Sequence, residues 1–551
     1  MPLPGLVFRT QSPAQNAFTS RADVAVFAGL VPRRAATPVP AALRQGLEDA
    51  GWAASPRSHP ATARPDPQIE ALLDVPVPID DWAVFDALFA WERRPMQAGS
   101  ATMLPCALGA AVRAFFAEGG RRCYVVRCGD PPPLLADMAD SRTARALLLA
   151  WNRTAPPPDA AARCPILPGY SARGLAASAA DPTTWHGAAH ALGIDAAAML
   201  LLPDLPDLLA LDPSPLPPPP PPRPFPEQFV TCAPGTAAEA DAGPAFTFTA
   251  PRLDLAGYRD WASALRFALD LLAPAGAAQR RDVMLLSSLP LPGSGPAAPA
   301  EGTEAWPLSL LQNPDLFHPG DALSDAHRLG SARLQLAYPW IQTELSRNLP
   351  EGVQAPEGTM AGAVARNVLM SGVHASAAGS PLAGVSGLRP ELARASVVRN
   401  LPGRADWFGD RITLLGQRSD GFVLQSDATM SEDPAWRAAS VSRLIANILR
   451  AGRALGDTLI FESSGETLWA QARDAVASYL TELWQLGALD GRNPAEAFEV
   501  QCDRTTMTQA DIDAGRLIAR VGVTAAQPVQ RITITLALTG GTGRAELAEA
   551  A

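Results

Sequence analysis

Hydrophobic positions along the chain fall into short extended runs separated by segments of helical period, which predicts an α/β chain with mixed sheets. The first run is Ala22-Asp23-Val24-Ala25-Val26-Phe27-Ala28-Gly29, alternating and then apolar, closed by glycine and read as a strand. Asp74-Val75-Pro76-Val77-Pro78-Ile79 is extended, and Asp80-Asp81-Trp82 caps a helix carrying Phe85, Leu88 and Phe89. A helix over 106–117 bears Val112, Phe115 and Phe116 and stops at Gly119-Gly120, a C-cap signal. The strand Cys123-Tyr124-Val125-Val126-Arg127 follows at once. Further helix-to-strand passages run from 183–192 to 197–202, and from Trp261, Leu265, Phe267 and Leu271 to Asp282-Val283-Met284-Leu285-Leu286.

The pattern is most regular from 357 to 540. It predicts helices at 358–371, 438–453 and 465–486, strands at 411–416, 421–425, 457–462, 497–502 and 516–523, and a helical turn at 508–513. A last strand, 529–538, alternates strictly through Val529-Gln530-Arg531-Ile532-Thr533-Ile534-Thr535-Leu536, as a strand with one buried face does. Residues 53–69 and 287–332 read as loops. Six consecutive prolines, Pro217 to Pro222, within 213–226 predict a stiff polyproline II connector of about 3.1 Å per residue. The expected organisation is an N-terminal arm at 1–19, an α/β region at 20–130, and a variable outer region at 131–334 holding that linker. A C-terminal domain at 335–528 and a strand arm with a tail at 529–551 complete it.

Composition narrows the chemistry. The 551 residues include 45 basic ones, all arginine, and no lysine. A P-loop, a protein kinase and a pyridoxal-phosphate enzyme each depend on a lysine, so none of these is available. A net charge of −10 argues against a dedicated nucleic-acid binder. No charged-then-apolar leader opens the sequence and no run of about 18 apolar residues occurs, so neither a signal peptide nor membrane insertion is expected. Cysteines at 106, 123, 128, 164, 232 and 502 fit a reducing cytoplasm better than a disulfide framework.

Candidate motifs give way to bland readings. His186 and His190 stand four apart on the expected helix, but Gly-Ala-Ala lies between them with no glutamate, so they read as ordinary helix histidines and not as metal ligands. Cys123 and Cys128 flank a strand at a separation of five, which puts them on opposite faces. Thr539-Gly540-Gly541-Thr542-Gly543-Arg544 mimics a dinucleotide turn, yet only eight residues follow Gly543, so a flexible tail is expected. Ser463-Ser464-Gly465-Glu466 reads as a capping sequence, and Asp503, Asp511 and Asp513 read as solvated helix termini without a calcium loop. No catalytic residue, cofactor or metal site is expected.

The segment Phe498-Glu499-Val500-Gln501-Cys502-Asp503-Arg504-Thr505-Thr506-Met507-Thr508-Gln509-Ala510-Asp511-Ile512-Asp513-Ala514-Gly515-Arg516-Leu517 resembles the C-terminal signature of contractile phage tail sheath proteins. Val441-Ser442-Arg443-Leu444-Ile445, the Leu459-Ile460-Phe461-Glu462 strand with Leu468-Trp469, and Arg113 to Val126 resemble further parts of that family in family order. The N-terminal Met1-Pro2-Leu3-Pro4-Gly5-Leu6 departs from the family's usual arm.

The resemblance implies a multi-domain tail-sheath fold with extended N- and C-terminal arms, and a structural subunit, not an enzyme. It implies hexameric rings stacked helically around an inner tube, with the baseplate and other sheath paralogues as partners. Assembly would take place in the bacterial cytoplasm, within a contractile particle that is released or anchored. The terminal strands are poor partners for one compact domain, and open edges invite strand addition. The expected subunit-interface positions are Leu6, Val7, Phe8 and Arg9, and Val529, Arg531, Ile532, Ile534 and Leu536. The alternative is a terminal strand paired within its own subunit. Arg504, Thr508, Gln509, Asp511, Asp513 and Arg516 are expected to face the tube.

Overall fold

The computed structural model describes residues 21–52, 66–135, 141–150, 162–170, 177–178, 181–216, 248–273, 280–293, 329–392, 411–431, 433–459, 465–513, 516–526, 532–539 and 544–549. They divide into two compact units, one of residues 22–446 with 525–530, the other built on 447–524 and 531–551.

In the larger unit eight strands form one sheet: β1 (Ala25–Gly29), β2 (Pro76–Ile79), β3 (Cys123–Arg127), β4 (Met199–Leu201), β5 (Met284–Ser288), β6 (Leu334–Tyr338), β7 (Thr413–Arg418) and β8 (Gly421–Leu424). Their order across the sheet is β8-β7-β6-β5-β4-β1-β3-β2. The six inner strands run parallel and an antiparallel strand closes each edge. Parallel strands need long crossovers, so one sheet gathers strands from distant sequence. The boundary expected at 130/131 accordingly falls between β3 and β4 of this one sheet, and the one at 334/335 falls inside β6.

Both faces are covered, as a parallel sheet requires. Val26 and Ala28 of β1 join one apolar core, and Ala25 and Phe27 join the other. Cys123 and Cys128 divide the same way. Helices α1 (Ala107–Ala117), α2 (Leu255–Leu271) and α3 (Glu357–Ser371) stand where the periodicity predicts helices. Asp81 caps the 82–88 helix by accepting from Ala83 N at 2.6 Å, and Gly119 takes φ +103° just beyond α1. α1 and α3 cross backbone to backbone. A Cβ at Gly358 would lie 2.3 Å from the Ala111 carbonyl oxygen, and one at Gly362 would lie 2.4 Å from that of Phe115.

Several expectations are corrected here. The 183–192 helix is instead two 3₁₀ turns, Pro182–Thr184 and Gly187–Leu192, because Gly187 sits at φ +51° with the Pro165 and Ile166 carbonyls pressed against it. His186 and His190 are not ordinary helix histidines, because both reach back to the buried carboxylate of Asp74. His186 Nδ1 lies 2.5 Å from Oδ2, His190 Nε2 lies 2.8 Å from Oδ1, and Gly187 N donates at 3.0 Å. The strand expected at 457–462 does not begin at 457: helix α4 (Ala439–Leu459) runs through Leu459, with Ile448, Leu449, Ala451 and Leu455 keeping its buried stripe in phase. Residues 460–464, with Ser463 and Ser464, lie outside the described residues, as does Cys232. Helix Asp66–Glu70 also occupies the end of the expected 53–69 loop.

Asp204 gives this unit a pH dependence. It is buried at the end of β1, its Oδ2 accepting from Leu30 N at 2.7 Å, and burial pushes its carboxyl to about 7. The folded value lies above the unfolded one near 3.9, so the group's stabilising protonated form is complete below about pH 4. That contribution is lost as pH rises towards 7. Asp204→Asn should therefore flatten the stability curve between about pH 4 and 7, a change on the order of 4 kcal/mol that urea melts at several pH values would read.

The smaller unit holds α5 (Glu466–Gln485) and an antiparallel sheet of β9 (Phe498–Gln501), β10 (Arg516–Val523), β11 (Ile532–Thr539) and β12 (Arg544–Glu549), in the order β9-β10-β11-β12. β12 corrects the expected flexible tail: Arg544–Glu549 pairs antiparallel with β11, whereas a dinucleotide site needs a helix and a parallel strand there.

Candidate assembly interface

The smaller unit builds its interface features from strand alternation. Leu517, Ala519, Val521 and Val523 of β10 are buried, while the residues between them lean outward or are small. Leu468, Trp469, Ala472, Val476, Leu480 and Leu483 of α5 form that helix's buried stripe. β10 pairs along its whole length with β11, from Arg516↔Thr539 to Val523↔Ile532, so the terminal alternating strand is paired within its own chain. Ile532, Ile534 and Leu536 thus lie on an inner strand. The edges of the sheet are β9 and β12, and neither has a second partner strand among the described residues. Leu6, Val7, Phe8, Arg9, Val529 and Arg531 lie outside the described residues.

The connection from β9 to β10 is a polar knuckle held by its own side chains. Thr508 and Asp511 make a reciprocal cap on the helical turn Gln509–Asp513. Thr508 N and Oγ1 donate to Asp511 Oδ2 at 3.0 and 2.5 Å, and Asp511 N donates to Thr508 Oγ1 at 3.2 Å. The Thr508 hydroxyl, helped by Arg516, holds the Asp511 carboxyl below the usual carboxylate range. Gln509 Nε2 donates to Asp513 Oδ1 at 2.8 Å, and Arg504 Nη1 donates to Gln509 Oε1 at 3.2 Å. Arg516 Nη1 stands 3.5 Å from Asp511 Oδ1. The structure therefore brings together all six of Arg504, Thr508, Gln509, Asp511, Asp513 and Arg516.

At the base of the knuckle Asp503 Oδ1 accepts from Thr505 N at 2.7 Å, and Thr506 Oγ1 lies 2.7 Å from the Ile518 carbonyl, which ties the turn to β10. The Arg504 guanidinium lies 5.8 Å from the Trp469 ring centre on α5, a cation–π contact that sequence spacing could not reveal. Thr508→Ala removes the reciprocal cap and should cost about 1 kcal/mol locally, seen as faster amide exchange over 509–513 with little change in global melting.

No group of three or more metal-ligating side chains suited to an ion occurs among the described residues, and no described helix is long and apolar enough to cross a membrane.

The family model for the phage tail sheath C-terminal domain matches residues 431–539. No curated protein matches the chain. Among solved structures, the anti-feeding prophage baseplate in its contracted state aligns over 96% of this chain and 97% of the other, at 17% identity and a TM-score of 0.51. The contracted sheath complex of the extracellular contractile injection system PVC aligns over 96% and 95%, at 17% identity and a TM-score of 0.47. The anti-feeding prophage helical sheath in its contracted state aligns over 96% and 97%, at 19% identity and 0.47. The chain shares the fold of the contracted anti-feeding prophage baseplate chain, and its residues 431–539 match the phage tail sheath C-terminal domain.

Proposed function

We propose that this chain is a structural sheath subunit that polymerises as stacked hexameric rings around an inner tube and contracts to drive that tube into a target. The observation that carries the reading is the sheet at 498–549, whose two edges lack a partner strand among the described residues and which overlaps the sheath C-terminal domain. Strand addition at such edges by the arms of neighbouring copies is heterologous and propagates into an open helix instead of closing a dimer. Residues 1–19, with Leu6 to Arg9, are the segment we assign to a neighbour's sheet. The knuckle of Arg504, Thr508, Gln509, Asp511, Asp513 and Arg516 is the surface we assign to the tube. The work of contraction comes from the free-energy difference between two subunit packings, with no catalysis and no cofactor.

Partners are then other copies, the inner tube protein, the baseplate and other sheath paralogues, with assembly in the bacterial cytoplasm before the particle acts. Co-expression with the neighbouring tube protein should give helical tubes in negative-stain micrographs. A monodisperse monomer at high concentration in the presence of the tube protein would sink the reading. A second reading, a specialised paralogue confined to the baseplate-proximal layer, draws on the fold shared with the contracted anti-feeding prophage baseplate. Immunogold labelling at one end only, instead of along the whole particle, would favour it.

A further inference from the structure

The larger unit contains a cleft of about 550 Å³, its open mouth included, between the start of α1, Pro203 and the start of the short helix Leu205–Leu209, residues 340–355 and the first residue of α3. Five prolines and Trp340 make most of its wall apolar. Three ionisable side chains stand in that wall: Arg94, Asp207 and Glu357. The first two answer each other, with Arg94 Nη2 donating to Asp207 Oδ2 at 2.8 Å and Arg94 Nε to the Pro132 carbonyl at 2.9 Å.

Glu357 has no such counter-charge among the described residues. It is 2% exposed, and its Oε2 has no hydrogen-bond partner among them. Burial pushes its carboxyl to about 7, with its own backbone N–H offsetting only part of that effect. A buried carboxyl oxygen with a vacant acceptor is costly unless something donates to it. Apolar walls with a few convergent polar groups are the usual make-up of a small-molecule site.

We propose that this cleft binds a small organic cation, an alkyl or aralkyl ammonium, whose N–H groups donate to Glu357 and whose apolar body packs on Trp340 and the surrounding prolines. The charge balance of the wall selects a monocation: Arg94 and Asp207 cancel, which leaves one negative charge when Glu357 is ionised. A neutral alcohol of the same shape keeps the apolar contacts but gains no ion pair in a site of low polarity.

The test uses the full chain and isothermal titration calorimetry with 2-phenylethylammonium, against 2-phenylethanol as the neutral isostere. One saturable site is expected, with the alcohol at least about tenfold weaker. Ammonium affinity should rise about tenfold from pH 6 to pH 8, because the carboxyl must ionise to pair. Glu357→Gln should remove this pH dependence and weaken the ammonium about tenfold. Ala355→Trp, which narrows the cleft at a partly exposed position, should abolish binding of both compounds. Equal affinity for the alcohol, an unchanged affinity in Glu357→Gln, or no saturable binding up to about 10 mM would each overturn the proposal.

Discussion

Replacing Asp427 with alanine should destabilise the larger unit by about 3–5 kcal/mol, a loss large enough to threaten folding of a marginally stable domain. Its carboxylate is 1% exposed and receives both ends of the Arg443 guanidinium, at 3.0 Å on Oδ1 and 2.6 Å on Oδ2. Gln335 Nε2 on β6 donates to Oδ1 at 2.8 Å and Ala377 N donates to Oδ2 at 2.8 Å. The residue therefore joins an inner strand of the sheet, the segment after α3 and the start of α4. Alanine leaves Arg443, 5% exposed, as a buried charge without its carboxylate.

A urea titration followed by fluorescence would show the loss as a lower midpoint at unchanged slope. The double variant Asp427→Leu with Arg443→Met should recover most of it, since the penalty comes from the stranded charge. Desolvation alone would raise this carboxyl, but the Arg443 pair and the surrounding donors outweigh it and hold it below the ordinary value. The pair's contribution is thus present above about pH 4 and is lost as pH falls through the depressed folded value. Asp427 and Asp204 act in opposite directions: acidification protonates and strengthens one site while it weakens the other.

Deleting residues 544–551 should eliminate tube formation while leaving the monomer folded. The deletion removes β12 alone and keeps β9, β10 and β11, so the ladder from Arg516↔Thr539 to Val523↔Ile532 survives. β11, an inner strand in the intact chain, then becomes an edge, and any strand added beyond β12 loses its template. Circular dichroism and the melting midpoint should stay close to wild type, whereas micrographs should change from tubes to none. Tubes of normal length and number from the truncated chain would refute the role given to this edge.

Local signals in the sequence were enough for much of the fold. The Asp81 cap, the Gly119 terminator after α1 and the alternation through Ile532 and Ile534 each lie within a few residues of the element they set. The six residues of the knuckle were legible as a group because they are near neighbours in the chain. β6 was not legible: Leu334-Gln335-Leu336-Ala337-Tyr338 is buried throughout, so it shows no alternation, and its polar Gln335 hides the apolar run. The histidine pair could not be assigned without knowing that Asp74, more than a hundred positions earlier, lies between the two rings. Glu357 and Asp427 were equally invisible, because a carboxylate's role is set by what surrounds it in space and both look like ordinary polar residues in the chain.

The crossing of α1 over α3 has a mechanical consequence. Where Gly358 and Gly362 let main chain meet main chain, no layer of deformable side chains separates the two helices, and neither can slide along the other without atoms colliding. That crossing acts as a weld. In the contracting role proposed above, this part of the subunit should travel as a stiff block, and the strain should be taken up in segments whose backbones are held less closely.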